Sequence, residues 1–413
     1  MSERAISGEQ RAQLALIAAV QVLVMASWFS ASAVVPALRQ DWDISLGQST
    51  LLTIAVQIGF VVGAVSSAAL NVSDRFPAHR VVAASAAAAA VSTATIALAV
   101  DSLWPAIALR LVTGVALAGV YPTGLKLMTS WFDSGRGLAL GVLVAALTFG
   151  SALPQLINSF ASLPWRGVLG VSSVLALLGS AVAWQFVRPG PLTQPAPPLN
   201  PRYVLALFTQ RGPRLANLGY FGHMWELYAM WTWLPAYFTA SLMVSGVAAP
   251  SRTLVGLTAF AVIGVAGVVG CLLAGALGDR LGRATVAGWA MRISATCAVL
   301  AALVFGSSPY LVVPILAVWG ASVIADSGLF SSCVADVVDP RYIGTALTTQ
   351  TAIGFALTIA TIQAVPPLVE LGGWPTATAM LALGPIGGAI AMSRLQVILD
   401  GRDGPAPSPT TPH

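Results

Sequence analysis

Apolar runs of about twenty residues recur along nearly the whole chain, and that pattern leaves few folds open. Water is absent from hydrocarbon, so a spanning segment must bond every backbone N–H and C=O within itself, which a helix does. Only 8% of the 413 residues are charged, 57% are hydrophobic and the mean hydropathy is +0.82. A soluble domain carries about 25% charged residues, so an all-α polytopic membrane protein is expected. Twelve transmembrane helices can be placed, at roughly 14–38, 49–70, 80–100, 104–130, 137–160, 167–187, 215–242, 253–277, 284–305, 309–334, 343–368 and 374–397.

Placement of the positive residues gives the orientation. With the N-terminus in the cytoplasm, fifteen Arg and Lys side chains face that side, against Arg39, Arg166 and Arg252 outside. Arg110 and Arg292 remain inside spans. Both termini are therefore expected in the cytoplasm, with the net charge of +5 spread over short loops rather than serving nucleic acid. Cys271, Cys297 and Cys333 lie in apolar runs and are expected as free thiols. The polar start leads directly into a full-length span, so no removable signal peptide is expected.

The longest polar connector, Arg188–Arg214, is proline-rich and then basic, with a short interfacial helix expected near Tyr203–Phe208. It divides the chain into a six-helix bundle over 1–187, a linker over 188–214 and a second six-helix bundle over 215–398, followed by a disordered tail over 399–413. The halves repeat one another. Asp74-Arg75 and Asp279-Arg280 are 205 residues apart, and FDSGRGLAL and VDPRYIGTAL align with Gly137 on Gly344, 207 apart. A duplicated unit with two pseudo-symmetric halves follows.

One span stands out. Gly219–Phe238 reads GYFGHMWELYAMWTWLPAYF, apolar enough to cross a bilayer yet carrying His223 and Glu226. Gly219, His223, Glu226, Met230, Trp233 and Tyr237 share one helical face. An ionised group at mid-membrane costs about 2.5–3.5 kcal/mol even on lenient scales, so it is expected to face a partner or a solute path. The alternative is a hydrogen-bonded tie between helices.

The loop Gly275-Ala-Leu-Gly-Asp279-Arg280-Leu-Gly282-Arg283 carries the G-x-L-[GA]-D-R-x-G-R signature, and Arg110 and Gly114 match an R-x-x-x-G element. In these motifs the sequence resembles the major facilitator superfamily, over about residues 10–400. The first-half copy of the loop is degenerate, with Leu70, Pro77 and Ala78 at signature positions. Through GHMWELYAMW and ADSGLFSS the chain is also loosely similar to the bacterial nitrate/nitrite–cyanate permease-like branch. It lacks arginines in spans two and eight, so nitrate itself is not expected.

The resemblance implies alternating access by a transporter and no enzyme activity. It also implies a cavity lined by spans one, four, seven and ten, where Trp28, Arg110, His223, Glu226, Trp233 and Asp326 fall; these are the expected substrate and proton residues. Arg110 and Glu226 are expected to face one another across the cavity, or to share a proton with the solute. Burial and a nearby arginine act on a carboxyl group in opposite senses, which gives a route to coupling. Arg292 and Asp326 are expected as a structural ion pair. The resemblance further implies a gate in which Asp279 lies near the start of span five and Asp74 near the start of span eleven. Arg75, Arg136, Arg280, Arg283 and Arg341 surround these carboxylates.

No cofactor, metal cluster or nucleophile–base arrangement is expected. The expected function is secondary active transport of a small solute, leaning to an organic or inorganic anion because of Arg110, with protons as the coupling ion. Drug or metabolite efflux is the alternative, and a transporter-derived sensor a further one. The expected setting is the bacterial inner membrane, and a monomer is expected.

Overall fold

The computed structural model describes residues 7–70, 72–132, 136–160, 163–192, 201–339 and 342–403. Among these residues there are helices and no strands. The first part holds α1 (Gly8–Met25), the short α2 (Val35–Trp42), α3 (Leu46–Ala69), α4 (Val72–Arg75) and α5 (Ala78–Ala99). It continues with α6 (Leu103–Ala118), α7 (Tyr121–Trp131), α8 (Arg136–Ser159) and α9 (Trp165–Gln185). After α10 (Pro201–Thr209) come α11 (Arg211–Val244), α12 (Arg252–Phe260), α13 (Gly267–Leu281) and α14 (Arg283–Leu303). The last are α15 (Pro309–Ala325), α16 (Ser327–Val337), α17 (Ile343–Leu381) and α18 (Leu383–Asp403).

Local chemistry sets several of these boundaries. Ser7 and Ser45 each cap a helix, and Gln10 and Gln48 reach back to complete capping boxes. Pro122 stands in the first turn of α7, where a missing N–H is harmless. Gly373, at φ 73°, breaks α17 before Trp374.

Nine helical stretches among the described residues are long and apolar enough to cross a membrane. The expected first and seventh spans are not among them by this measure. The seventh, within α11, carries Asn217, His223 and Glu226, with Arg214 just before it. The expected eleventh and twelfth spans lie inside one continuous stretch, 343–401. Three expected spans are also interrupted. The first stops at Met25 and turns before α2, the fourth breaks between α6 and α7, and the tenth breaks at Asp326.

Packing relies on small residues, as suits helices in lipid, where apolar burial alone gives little drive. A Cβ on Gly63 would come within 2.7 Å of the Val115 carbonyl, and one on Gly270 within 2.7 Å of the Ala321 carbonyl carbon. Those glycines let α3 lie against α6, and α13 against α15. Large apolar side chains such as Leu98, Trp104, Leu303 and Leu371 point outward, as lipid contact requires. Helices from before the linker also meet helices from after it: α3 lies along α17, and α8 along α12 and α13. The short helix α10 packs on α11 and α17, and Tyr203 stacks on Tyr342 at 4.1 Å.

Candidate functional site

The long helix α11 presents two faces to different neighbours. Gly219 packs on Phe330 and Met392. Further along that face, Glu226 Oε2 accepts a 2.7 Å hydrogen bond from Ser294 on α14, and Oε1 a 2.6 Å bond from the Trp319 indole on α15. Trp233 donates to the Ile362 carbonyl at 3.0 Å and Tyr237 to the Ala301 carbonyl at 2.6 Å. Met230, Trp233, Leu234 and Tyr237 line a narrow apolar pocket with Trp319 and Trp374.

The other face carries Tyr220, Met224, Tyr228 and Trp231. Tyr228 stacks on Trp28 and on Phe29, each at 5.8 Å, and meets Phe355 of α17 at 5.2 Å. Trp231 meets Phe29 edge-on at 5.8 Å. Phe60 of α3 touches Trp28 at 5.0 Å and Phe355 at 4.3 Å. These six rings fill a seam where the turn after α1, together with α3, meets α11 and α17. Gln57 lies one turn from Phe60, and Gln350 one turn from Gly354. The Trp28 and Trp231 indole N–H groups, both ends of the Gln57 amide and Gln350 Nε2 are buried with no hydrogen-bond partner among the described residues.

His223 and Asp326 meet one turn along α11 from Glu226. Their Nδ1 and Oδ1 atoms are 2.8 Å apart, with side chains only 1% and 3% exposed. At that separation the two groups are in direct polar contact. A pair of carboxylates and an imidazole thus sit inside the helices, held by neutral donors and by one another.

Two expected contacts are not formed. Arg110 does not face Glu226: it lies fully buried beneath the break in α1. Its Nη1 donates to the Ser27 carbonyl at 2.8 Å and the Ser30 hydroxyl at 3.3 Å, its Nη2 to the Trp28 carbonyl, and its Nε to the Leu52 carbonyl at 3.4 Å. The arginine thereby satisfies carbonyls that the interrupted helix leaves unpaired. Glu226 is two residues from Tyr228, about 200° around the helix, so aiming Tyr228 at Trp28 turns Glu226 away. Nor do Arg292 and Asp326 pair. Asp326 meets His223, while Arg292 is exposed and donates to Ser393 on α18 at 2.6 Å. The phase is again decisive, since Ser294, two residues on, is the one that points to Glu226.

At the end of the bundle holding the start of α1, the Asp279 carboxylate lies against Gly137 in the first turn of α8. A Cβ there would fall 2.7 Å from the carboxylate carbon, so any side chain at 137 would push the Asp279 carboxylate away. Helix N-termini favour a negative charge at this position. Arg283 donates to both Asp336 oxygens, at 3.0 and 3.2 Å. Arg75 and Arg280 are exposed. The side chains of Asp74 and Arg136, and Arg341, lie outside the described residues.

Sequence reading missed the seam partners Phe29, Phe60, Tyr228, Trp231 and Phe355, the amides Gln57 and Gln350, and the Glu226 donors Ser294 and Trp319. The mid-span glutamines were visible as polar groups in apolar runs. The rings were not, because both faces of α11 are aromatic.

These features define a class: a multi-pass helical membrane protein with a closed seam between its early and late helices and ionisable groups buried beside it. The chain belongs to the Major Facilitator Superfamily, whose sequence profile matches residues 17–362. Members of that family are transporters rather than enzymes. Among solved structures, the human organic anion transporter MFSD10 (TETRAN) is similar, with TM-score 0.70 and 14% identity over 93% of this chain and 99% of that one. So is the proton:xylose symporter XylE bound to 6-bromo-6-deoxy-D-glucose, with TM-score 0.70 and 14% identity over 94% and 96%. At that identity the likeness is one of fold. No curated protein sequence matches the chain.

Proposed function

We propose that this protein is a proton-coupled secondary transporter that carries a small solute across a bacterial inner membrane by alternating access. Its working unit is a monomer of twelve spans in two pseudo-symmetric bundles, residues 1–187 and 215–398, with both termini in the cytoplasm. The charge asymmetry, the repeated loops and the family fold support that layout. In it, the end bearing Asp279 is cytoplasmic, and its contact with Gly137 holds that end shut.

The observation that carries the coupling is the buried set of Glu226, His223 and Asp326. A sequence tolerates such groups in a membrane core when they face a partner or move charge. Glu226 has two neutral donors and, among the described residues, no arginine or lysine in hydrogen-bond contact, so a proton can come and go without breaking an ion pair. The solute binds in the seam, where both bundles contribute rings. Arg110 is committed to backbone carbonyls and does not set the solute's charge, so the anion preference loses its main support. The aromatic seam also favours a second reading within transport, export of an amphiphilic compound. A pH-jump assay for direction separates the two.

Glu226→Gln in proteoliposomes tests the coupling. The amide keeps size and hydrogen bonding but carries no exchangeable charge. Proton-driven accumulation should be lost while solute exchange at equal pH persists. Full accumulation by the variant would remove Glu226 from the mechanism and leave Asp326 as the next candidate.

A further inference from the structure

Given a solute site in the seam, on which this rests, we infer that the solute is an uncharged planar ring compound bearing hydrogen-bond acceptors, such as a ring ketone, lactone or lactam. Charge comes first. Among the described residues, no arginine, lysine or carboxylate side chain takes part in the ring cluster. Arg110 already spends donors on four oxygens beneath α1. Glu226 faces α14 and α15, and Asp326 faces His223. An ionic solute would lie buried without a counter-ion, which is costly.

Hydrogen bonding comes next. The Trp28 and Trp231 indoles can only donate, and with Gln57 Nε2 and Gln350 Nε2 they are buried donors without partners. Among the described residues, Gln57 Oε1 and the Ser27 hydroxyl, which can also donate, are unpartnered groups near these rings that can accept, against four unpartnered donors. Buried donors of this kind normally find an acceptor. A solute rich in carbonyl or ring oxygens answers them. A sugar suits them less well, since each hydroxyl brings a donor of its own.

Shape comes last. Trp28 and Tyr228 are stacked with centroids 5.8 Å apart and planes inclined by 27°. The two rings are already in contact, so seating a flat ring between them needs their planes to part by about one ring thickness, roughly 3.5 Å. A planar solute can enter by parting the turn after α1, which carries Trp28, from α11 by that thickness. Seating it in this way would itself loosen the contact between the bundles.

The test uses the full-length protein in nanodiscs and four probes: coumarin, 2-naphthoate, protonated 2-naphthylmethylamine and D-xylose. Thermal stabilisation reports binding by mass action. Coumarin should stabilise most. Trp231→Phe and Trp28→Phe replace the indole by a smaller phenyl ring, removing the N–H and leaving a cavity, so each should melt a few degrees lower and is compared with its own unliganded melting temperature. Each should bind coumarin roughly 5- to 20-fold more weakly, as loss of one buried hydrogen bond predicts. Stronger stabilisation by either naphthyl ion or by xylose would overturn the uncharged-acceptor class. Equal coumarin affinity in wild type and both variants would overturn the seam as its site. Failure of all four probes on folded protein would also overturn the class. Transport itself is judged separately, from the movement of the bundle ends, so a wrong solute class and a wrong transport reading give different results.

Discussion

Glu226 is the residue whose environment makes the sharpest demands. Its carboxylate joins α11 to α14 and α15 through Ser294 and Trp319. Glu226→Ala strips both donors of their acceptor, and each buried group left unsatisfied costs about 1–3 kcal/mol. The Ala variant should therefore melt several degrees below wild type while Glu226→Gln melts close to it, as thermal unfolding in detergent will show. Arg110 makes a second case. Lysine offers three donors on a point charge and cannot span the carbonyls of Ser27, Trp28 and Leu52, so Arg110→Lys should lose about 2–4 kcal/mol. Normal melting of that variant would mean the α1 break holds itself. Sequence identified both residues as important because charge in an apolar run is hard to miss. It could not supply their partners, because a helix turns about 100° per residue and an unknown phase decides every contact. The same uncertainty produced the unformed Arg292–Asp326 pair.

Among the helices, the breaks carry as much meaning as the spans. The interruption of α1 at Met25 brings Trp28 and Phe29 into the seam, and Asp326 sits where α15 gives way to α16. Neither break has a proline or glycine at its centre, so sequence gave no signal for them. Gly137 makes the clearest prediction at this level. Gly137→Ala pushes a methyl group into the Asp279 carboxylate, and Asp279→Asn removes its charge from the α8 N-terminus. Both should raise cysteine accessibility from the cytoplasmic side and slow net transport. Unchanged accessibility in both would mean that this contact does not hold the end closed.

Across the molecule, the family and the helical membrane fold were legible from one loop signature and from the recurrence of apolar runs. The seam was not, since it depends on how helices far apart in sequence pair. The proposed topology is checked by labelling single cysteines in a background without native thiols. Ser102 and Gly372 should react from outside and Ser408 only after permeabilisation. The proposed alternation is checked by distances between spin labels in nanodiscs. One pair, Leu138 with Leu281, reports the end bearing Asp279, and the other, Phe160 with Leu254, reports the opposite end of α8 and α12. As pH is changed or a stabilising ligand is added, one pair should lengthen while the other shortens. Two pairs that stay fixed, or that open together, would contradict transport by alternating access.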